Sequence, residues 1–403
     1  MASTTRPQMA AQPILRTLII GVIGFLTLAD LFATQAILPV LATRFGVTPG
    51  AIGVAANAGT IGMAIAGLLA GVLAGDIDRR RGIWVSLALL AIPTTLLAFA
   101  PNPLIFALLR IAQGLCMATA FTLTITYLAE QCSPDEAATS LAAYVTGVVA
   151  SNLIGRLIAS TAVSLAGVAT SFYIFAALNL VGALLVRASL SRSAPMMRMH
   201  APGHFWSAWV THIGDARLRR CYAIGFLILF AFIGVFTYVG FVLAGPPLSV
   251  SMRSIGVIFL CFAPSMLTTP FAGQVASRYG AARVLPLSLV LAVGGLALML
   301  VADVVAVFIG MVLVALGTFF AQAIATGFVG RVATTEKAAA SGLYLFFYYS
   351  GGLVGAAVVG QLFDQLGWLA AVIASGIALL LGAVIGLGLT LKPNGLTSQG
   401  ASS

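Results

Sequence analysis

Three ionisable side chains stand inside otherwise apolar stretches of this sequence: Asp30, Arg110 and Arg156. Arg110 lies about a third of the way along the apolar stretch Pro103–Glu130, within Leu-Leu-Arg-Ile-Ala-Gln-Gly. A guanidinium keeps its proton at any accessible pH. Placing one at the middle of a membrane helix costs about 2.5–3.5 kcal/mol on insertion scales. A chain carries such a group only where it faces a partner or a wet cavity. A carboxylate in a dry interior is driven towards its neutral form, and a nearby guanidinium drives it back. That opposition lets a proton switch Asp30. The alternative is a static contact that fixes helix packing.

Asp30 lies 12 residues from Ala42, where its stretch is expected to end. Arg110 and Arg156 lie seven and eight residues from the corresponding ends of theirs. At 1.5 Å per residue all three fall within roughly 8 Å of one another in depth. One acid cannot neutralise two arginines. Arg156 is therefore a candidate to bind an anionic group of a substrate; the alternatives are bonding to backbone carbonyls or reaching out to the surface. Tyr144, Asn152 and Arg156 share a helical face through their spacing. With Gln113, Gln322 and Tyr348 they make up the candidate lining of a substrate cavity. Gln322 and the cluster Tyr344, Phe347 and Tyr348 suit a hydrophobic or ring-bearing compound, although aromatics at helical spacing also serve packing.

The elements that must hold these residues follow from composition. The chain has 403 residues, is 61% hydrophobic and only 7% charged, and has a mean hydropathy of +1.09. Soluble domains carry about 25% charged residues, so this is a membrane protein. Apolar stretches fall at about 17–42, 50–74, 83–100, 103–129, 138–164, 170–187, 221–244, 253–275, 284–301, 304–330, 339–362 and 368–391, each near the length that crosses a bilayer. The expected fold is all-α, with twelve transmembrane helices in two pseudo-symmetric six-helix bundles. It divides into a cytoplasmic tail 1–16, a bundle 17–187, a cytoplasmic central loop 188–220, a second bundle 221–391 and a cytoplasmic tail 392–403.

With both termini and the central loop cytoplasmic, 16 of the 20 basic residues fall on the cytoplasmic side and only Arg44 and Arg253 on the other. The net charge of +10 is then an orientation signal with lipid contact as its consequence, and nucleic acid is an unnecessary partner. Repeats support the division into halves. Ile52-Gly53-Val54 recurs as Ile255-Gly256-Val257, and Gly114 as Gly317, at an offset of 203; Leu153-Ile154-Gly155 recurs as Leu353-Val354-Gly355 at 200. Duplicated halves are a common way for secondary transporters to build a site at the bilayer midplane.

Three motifs then carry a resemblance that spans residues 17 to 391. The stretch Gly273-x-x-Ala276-Ser277-Arg278-Tyr279-Gly280-x-x-Arg283 is close to G-x-x-x-D-R-x-G-x-x-R/K, with Ser277 in place of the acid. Its first-half counterpart runs from Gly71 to Gly82 and includes Asp76, Asp78 and Arg79. Arg110-x-x-Gln113-Gly114 matches R-x-x-Q-G, and Gly147-x-x-x-Ser151-Asn152-x-x-Gly155-Arg156 is similar to the antiporter motif G-x-x-x-G-P-x-x-G-G. On these the chain resembles the major facilitator superfamily, in its twelve-span proton-coupled efflux branch of the drug and arabinose-efflux kind. The resemblance implies proton coupling through Asp30 and Arg110. It also implies a cytoplasmic gate of Gly71, Asp76 or Asp78, Arg79, Gly273, Arg278 and Gly280.

Other chemistry finds no support. His200, His204 and His212 all lie in the central loop without metal-ligand spacing and are expected to be solvated. Phe205, Trp206 and Trp209 there read as a short helix on the membrane surface. Cys116, Cys132, Cys221 and Cys261 show no framework spacing and are expected to be reduced. No P-loop, nucleophile elbow or cofactor fingerprint is present; no enzyme activity, metal or cofactor is expected. The expected function is proton-coupled export of a small organic compound by a monomer of the inner membrane. Uptake of an anionic metabolite is the alternative, and a membrane sensor with a transporter fold is the competitor from another class.

Overall fold

Proline and glycine decide where these apolar helices run straight and where they break. The computed structural model describes residues 13–73, 78–131, 134–191, 204–333 and 335–389. Span 1 consists of α1 (Pro13–Ala33), a 3₁₀ turn (Thr34–Ile37) and α2 (Leu38–Phe45). Pro39 has no N–H for the carbonyl of Gln35 and its ring crowds that carbonyl, so the helix tightens there. Span 2 is α3 (Pro49–Asn57) and α4 (Gly59–Leu73), interrupted at Ala58. Spans 3 and 4 are α5 (Arg79–Leu97) and α6 (Pro103–Gln131).

The helix α7 (Pro134–Ser189) has 56 residues, far more than one crossing of a bilayer about 30 Å thick requires. At Gly167 the backbone has φ +84° and ψ 172°, a conformation open to glycine and closed to most side chains. It divides α7 into spans 5 and 6. The helix α8 (His204–Gly214) lies in the central segment. Span 7 is α9 (Ala216–Ala244), and span 8 is α10 (Met252–Ile258), α11 (Ala263–Thr268) and α12 (Ala272–Tyr279), joined by 3₁₀ turns next to Pro264 and Pro270. Spans 9 to 12 are α13 (Ala281–Leu298), α14 (Val304–Val332), α15 (Lys337–Leu366) and α16 (Trp368–Gly386). Eleven helical stretches are long and apolar enough to cross a membrane. With α7 counted as two, the described residues make twelve spans and the chain is a multi-pass, all-helical membrane protein.

Polar links fix which helix ends share a face. Arg16 pairs with Glu136, Arg80 donates to the Arg187 carbonyl, and Arg220 donates to the Gly388 carbonyl at 2.8 Å; these bonds join starts of odd spans to ends or starts of others on what we term the terminal face. On the opposite face Arg44 donates to the Ala98 carbonyl at 2.8 Å, and Trp368 to the Met299 carbonyl at 2.9 Å. The internal repeat has a counterpart in packing. Gly155 of span 5 approaches Ala29 of span 1, and Gly355 of span 11 approaches Phe230 of span 7 in the same way.

The central segment departs from the sequence reading in one respect. The helix α8 forms where expected and rests against spans 7 and 11. His212, however, is buried rather than solvated, with Nε2 3.3 Å from the Glu336 carbonyl. Docking of α8 on span 11 covers His212, while Val210 and Ile213 beside it stay exposed. Asp215 then caps span 7, accepting the Arg217 N–H at 2.8 Å.

Spans 2 and 4 meet backbone to backbone one turn below Arg110. A Cβ added at Gly114 would lie 2.8 Å from the Gly59 carbonyl carbon and 3.0 Å from the Met63 nitrogen. We expect Gly114→Val to force these helices apart at a cost of at least about 1–3 kcal/mol. A lowered yield of monodisperse protein in detergent and a lower unfolding midpoint would show it.

Candidate functional site

The breaks in spans 1 and 2 leave carbonyls without helical donors, and Arg110 supplies the donors. Its side chain is 1% exposed. Nε donates to the Ala56 carbonyl at 2.7 Å, Nη1 to the Asp30 carbonyl at 3.0 Å and to Gln113 Oε1 at 2.7 Å, and Nη2 to the Leu31 carbonyl at 2.7 Å. Four of the five N–H groups of a guanidinium are thus engaged. Span 4 is tied by one side chain to the interrupted turns of spans 1 and 2.

Asp30 and Arg110 meet, but not as an ion pair: Arg110 touches the main chain of Asp30 and the carboxylate turns elsewhere. Asp30 Oδ2 accepts from Asn179 Nδ2 at 2.7 Å and lies 3.3 Å from Thr94 Oγ1. The two charges are joined through neutral groups, because Gln113 accepts from Arg110 and donates to Thr94 Oγ1 at 2.7 Å. Thr94 has a single proton to give, which either Asp30 or the Leu90 carbonyl at 2.8 Å can take. The Asn179 Oδ1 atom is buried with no partner. An ionised Asp30 uses the amide N–H; a protonated one needs an acceptor, and rotating the same amide presents Oδ1. The surroundings therefore fit both protonation states. Beside the carboxylate is a cavity of about 10 Å³ whose lining includes Asp30, Thr34, Arg110, Gln113 and Ser171. That is about the room one water molecule needs. The hydroxyls of Thr34 and Ser171 are buried there without partners.

Arg156 occupies a second site. It is fully buried; Nη1 donates to the Asn152 carbonyl at 2.5 Å and Nη2 to Gln35 Oε1 at 2.5 Å. Three rings surround the guanidinium carbon, Phe32 at 5.1 Å, Phe259 at 4.9 Å and Phe262 at 4.5 Å. Phe259 and Phe262 belong to the first 3₁₀ turn of span 8, so an arginine of the first half is held by rings of the second. Gln35 continues the link, donating to Asn57 Oδ1 at 3.2 Å and Thr237 Oγ1 at 3.4 Å, and Asn57 donates to Thr237 at 3.0 Å. Gln35, Asn57 and Thr237 have no sequence motif to mark them. Their one signal is that they are polar residues in apolar spans.

The remaining candidates lie apart. Tyr144 is buried against Gly24 of span 1 and the Phe121 ring at 5.7 Å, so the structure does not bring it into the Arg156 site. Tyr348 stacks on Tyr344 at 6.0 Å and meets Tyr349 at 5.3 Å, an aromatic cluster within span 11. Gln322 is half-buried on span 10 and joins neither arginine network.

Two sequence matches then decide the family: the profile of the Major Facilitator Superfamily fits residues 20–247 and again residues 242–402. The chain is a member of the major facilitator superfamily. Among bacterial relatives of this superfamily member, the inner membrane transport protein YnfM of Escherichia coli is 29% identical over 353 residues, covering 86% of this chain and 83% of that one. An uncharacterised MFS-type transporter, YybF of Bacillus subtilis, is 27% identical over 355 residues, 87% of each. Solved structures agree in fold. A D-xylose–proton symporter matches with TM-score 0.74 at 13% identity over 94% of this chain and 97% of its own. The nucleoside transporter NupG matches with TM-score 0.73 at 16% identity over 94% and 98%. As a member of this superfamily the chain is a membrane transporter and not an enzyme.

The loop residues assigned to a transporter gate have the following places among the described residues. Arg79 is buried and pairs with Glu130 at the end of span 4, at 3.1 and 3.3 Å. Asp78 instead caps α5, accepting the Arg81 N–H at 3.2 Å. Asp76 and Cys132 lie outside the described residues, and Gly71 is in the last turn of α4. In the second half Arg278 lies over the ring of its neighbour Tyr279 at 5.4 Å, Gly273 is in α12, and Gly280 separates α12 from α13. Glu130, which meets Arg79, stands outside the loop motif and so has no motif to mark it.

Gln113 is the link that can be tested without touching a charge. Gln113→Leu removes an acceptor from Arg110 and a donor from Thr94, and should cost about 1–3 kcal/mol of stability. Thermal unfolding in detergent would read this as a lower midpoint, with Gln322→Leu unchanged. Equal midpoints for the two variants would contradict the linking role.

Proposed function

We propose that this transporter is a proton-coupled secondary active transporter of the inner membrane that exports a small organic compound, with Asp30 as the proton carrier. The observation that carries the reading is the environment of Asp30. Its carboxylate is buried, free of any ion pair within 4 Å among the described residues, and bonded by an amide and a hydroxyl that serve both of its protonation states. Arg110 supplies a fixed positive field whose position does not depend on the charge of Asp30, because its bonds go to carbonyls and to Gln113. Water in the neighbouring cavity, between Asp30 and the unpartnered hydroxyls of Thr34 and Ser171, gives the proton a first step away from the carboxylate.

The two six-helix halves then rock about the seam formed by spans 1, 2 and 5 against 7, 8 and 11. Both termini are cytoplasmic on the charge asymmetry. Arg79, Glu130, Asp78 and the Gly273–Gly280 segment hold the cytoplasmic entrance, and a single chain is the working unit. Export is favoured by the likeness of span 5 to the antiporter motif. Uptake of an anionic metabolite is a second reading, favoured by Arg156, a buried cation with no carboxylate beside it among the described residues.

Reconstituted protein under an imposed pH gradient, assayed with a compound panel, tests the proposal. Wild-type protein is expected to move one or more compounds outwards against proton entry. Asp30→Asn should lose gradient-driven transport while exchange at equal pH persists. Full gradient-driven transport by Asp30→Asn would contradict the assignment, and inward movement along the proton gradient would select the second reading.

A further inference from the structure

The Arg156 site has a donor edge that the fold leaves half used. We infer that the solute is a monocarboxylate on an apolar body and that Arg156 binds its carboxylate in place of Gln35; this rests on reading the chain as a transporter. The guanidinium is 0% exposed and has no acidic residue within 4 Å among the described residues. A carboxylate binds arginine side-on through two parallel N–H···O bonds. On one edge of Arg156, Nη1 is committed to its own helix through Asn152, at 2.5 Å to the carbonyl and 3.4 Å to Oδ1. On the Nε/Nη2 edge, Nε is buried with no acceptor and Nη2 is held only by the neutral oxygen of Gln35. That edge is the shape a carboxylate occupies, with one of its two donors already open. Exchanging an amide oxygen for a carboxylate sets an anion against the cation and gives two parallel N–H···O bonds where the fold has one.

The walls give the rest of the ligand. Phe32, Phe259 and Phe262 pack round the guanidinium at 4.5–5.1 Å and offer apolar surface to whatever carries the carboxylate. Arg110, the other deep cation, already has four donors bound to carbonyls and Gln113. One half-used edge of a single cation matches one negative charge, and a phosphate dianion would lack donors. Binding also reaches the seam. Gln35 donates to Asn57 and to Thr237 of span 7, so a carboxylate that displaces its oxygen from Arg156 loosens the bonds that join spans 1 and 2 to the second half. Ligand entry and separation of the halves are thereby the same event.

The test uses the full chain in detergent. Benzoate and hexanoate are titrated against thermal unfolding, with benzamide and hexanamide as neutral analogues of the same shape. At least one acid is expected to raise the midpoint in a concentration-dependent way and the matching amide to leave it unchanged. Arg156→Gln should raise the half-saturating concentration by about tenfold or more, as loss of a charge-assisted pair requires. Should that variant not fold, Gln35→Met, which clears the Nε/Nη2 edge, is expected to lower the half-saturating concentration several-fold. No stabilisation by either acid, equal stabilisation by the amides, or unaltered acid binding in both variants would overturn the inference. The binding titration is run without a pH gradient and reads acid recognition alone, while transport under a pH gradient reads proton coupling. Loss of proton-driven transport and loss of acid recognition are therefore read separately, and failure of one reading leaves the other standing.

Discussion

The rest of the structure depends on a guanidinium that is bonded to broken backbone. Arg110 would be costly in a membrane interior if its donors were unmet, and the interrupted turns of spans 1 and 2 would be costly if their carbonyls were unmet. Each satisfies the other. The bonds to Ala56, Asp30 and Leu31 hold three spans at one depth, and the close approach of Gly114 to span 2 makes the reach short enough. Because the charge is anchored to main chain and to Gln113, its position is set by these groups and not by the Asp30 carboxylate. That is a different device from a salt bridge, which breaks when its acid is neutralised.

The two deep arginines divide the labour. Arg110 lies wholly within the first half and fixes the surroundings of Asp30, while Arg156 lies on the seam and is held by rings from span 8. Gln35 and Asp30 are both on span 1, Asp30 before its 3₁₀ turn and Gln35 within it. One interrupted turn separates Asp30 from the residue that touches Arg156 and Thr237. The 3₁₀ segment ahead of Pro39 is the piece of span 1 with the poorest internal hydrogen bonds to resist it.

Much of this architecture is legible in the amino-acid sequence. Twelve apolar stretches, the asymmetry of the basic residues and the repeated glycines imply the fold, because length and helix contact are local properties of a chain. The two arginines and Asp30 are legible for a related reason: a charge in an apolar run needs an explanation. Their partners are not. Depth alone sets Asp30 level with Arg110 and suggests an ion pair, whereas the guanidinium takes carbonyls released by a helix break. Backbone carbonyls leave no mark on a sequence of side chains. Asn179 and Thr94 come from separate spans, and only their rotation about each helix axis brings them together. Glu130 is hidden behind a loop motif that points to Asp76 and Asp78, and the burial of His212 depends on α8 docking against span 11, which is a tertiary contact.

The central claim is that Asp30 exists in two protonation states at a site that accommodates both while Arg110 does not move. Infrared difference spectroscopy of the purified protein across a pH titration tests this directly, since a protonated carboxylic acid in a dry site has a carbonyl band separate from that of a carboxylate. The account predicts a band that grows as pH falls, is absent in Asp30→Asn, and shifts in Asn179→Leu as its hydrogen-bond partner is lost. An identical difference spectrum in wild type and Asp30→Asn would contradict it.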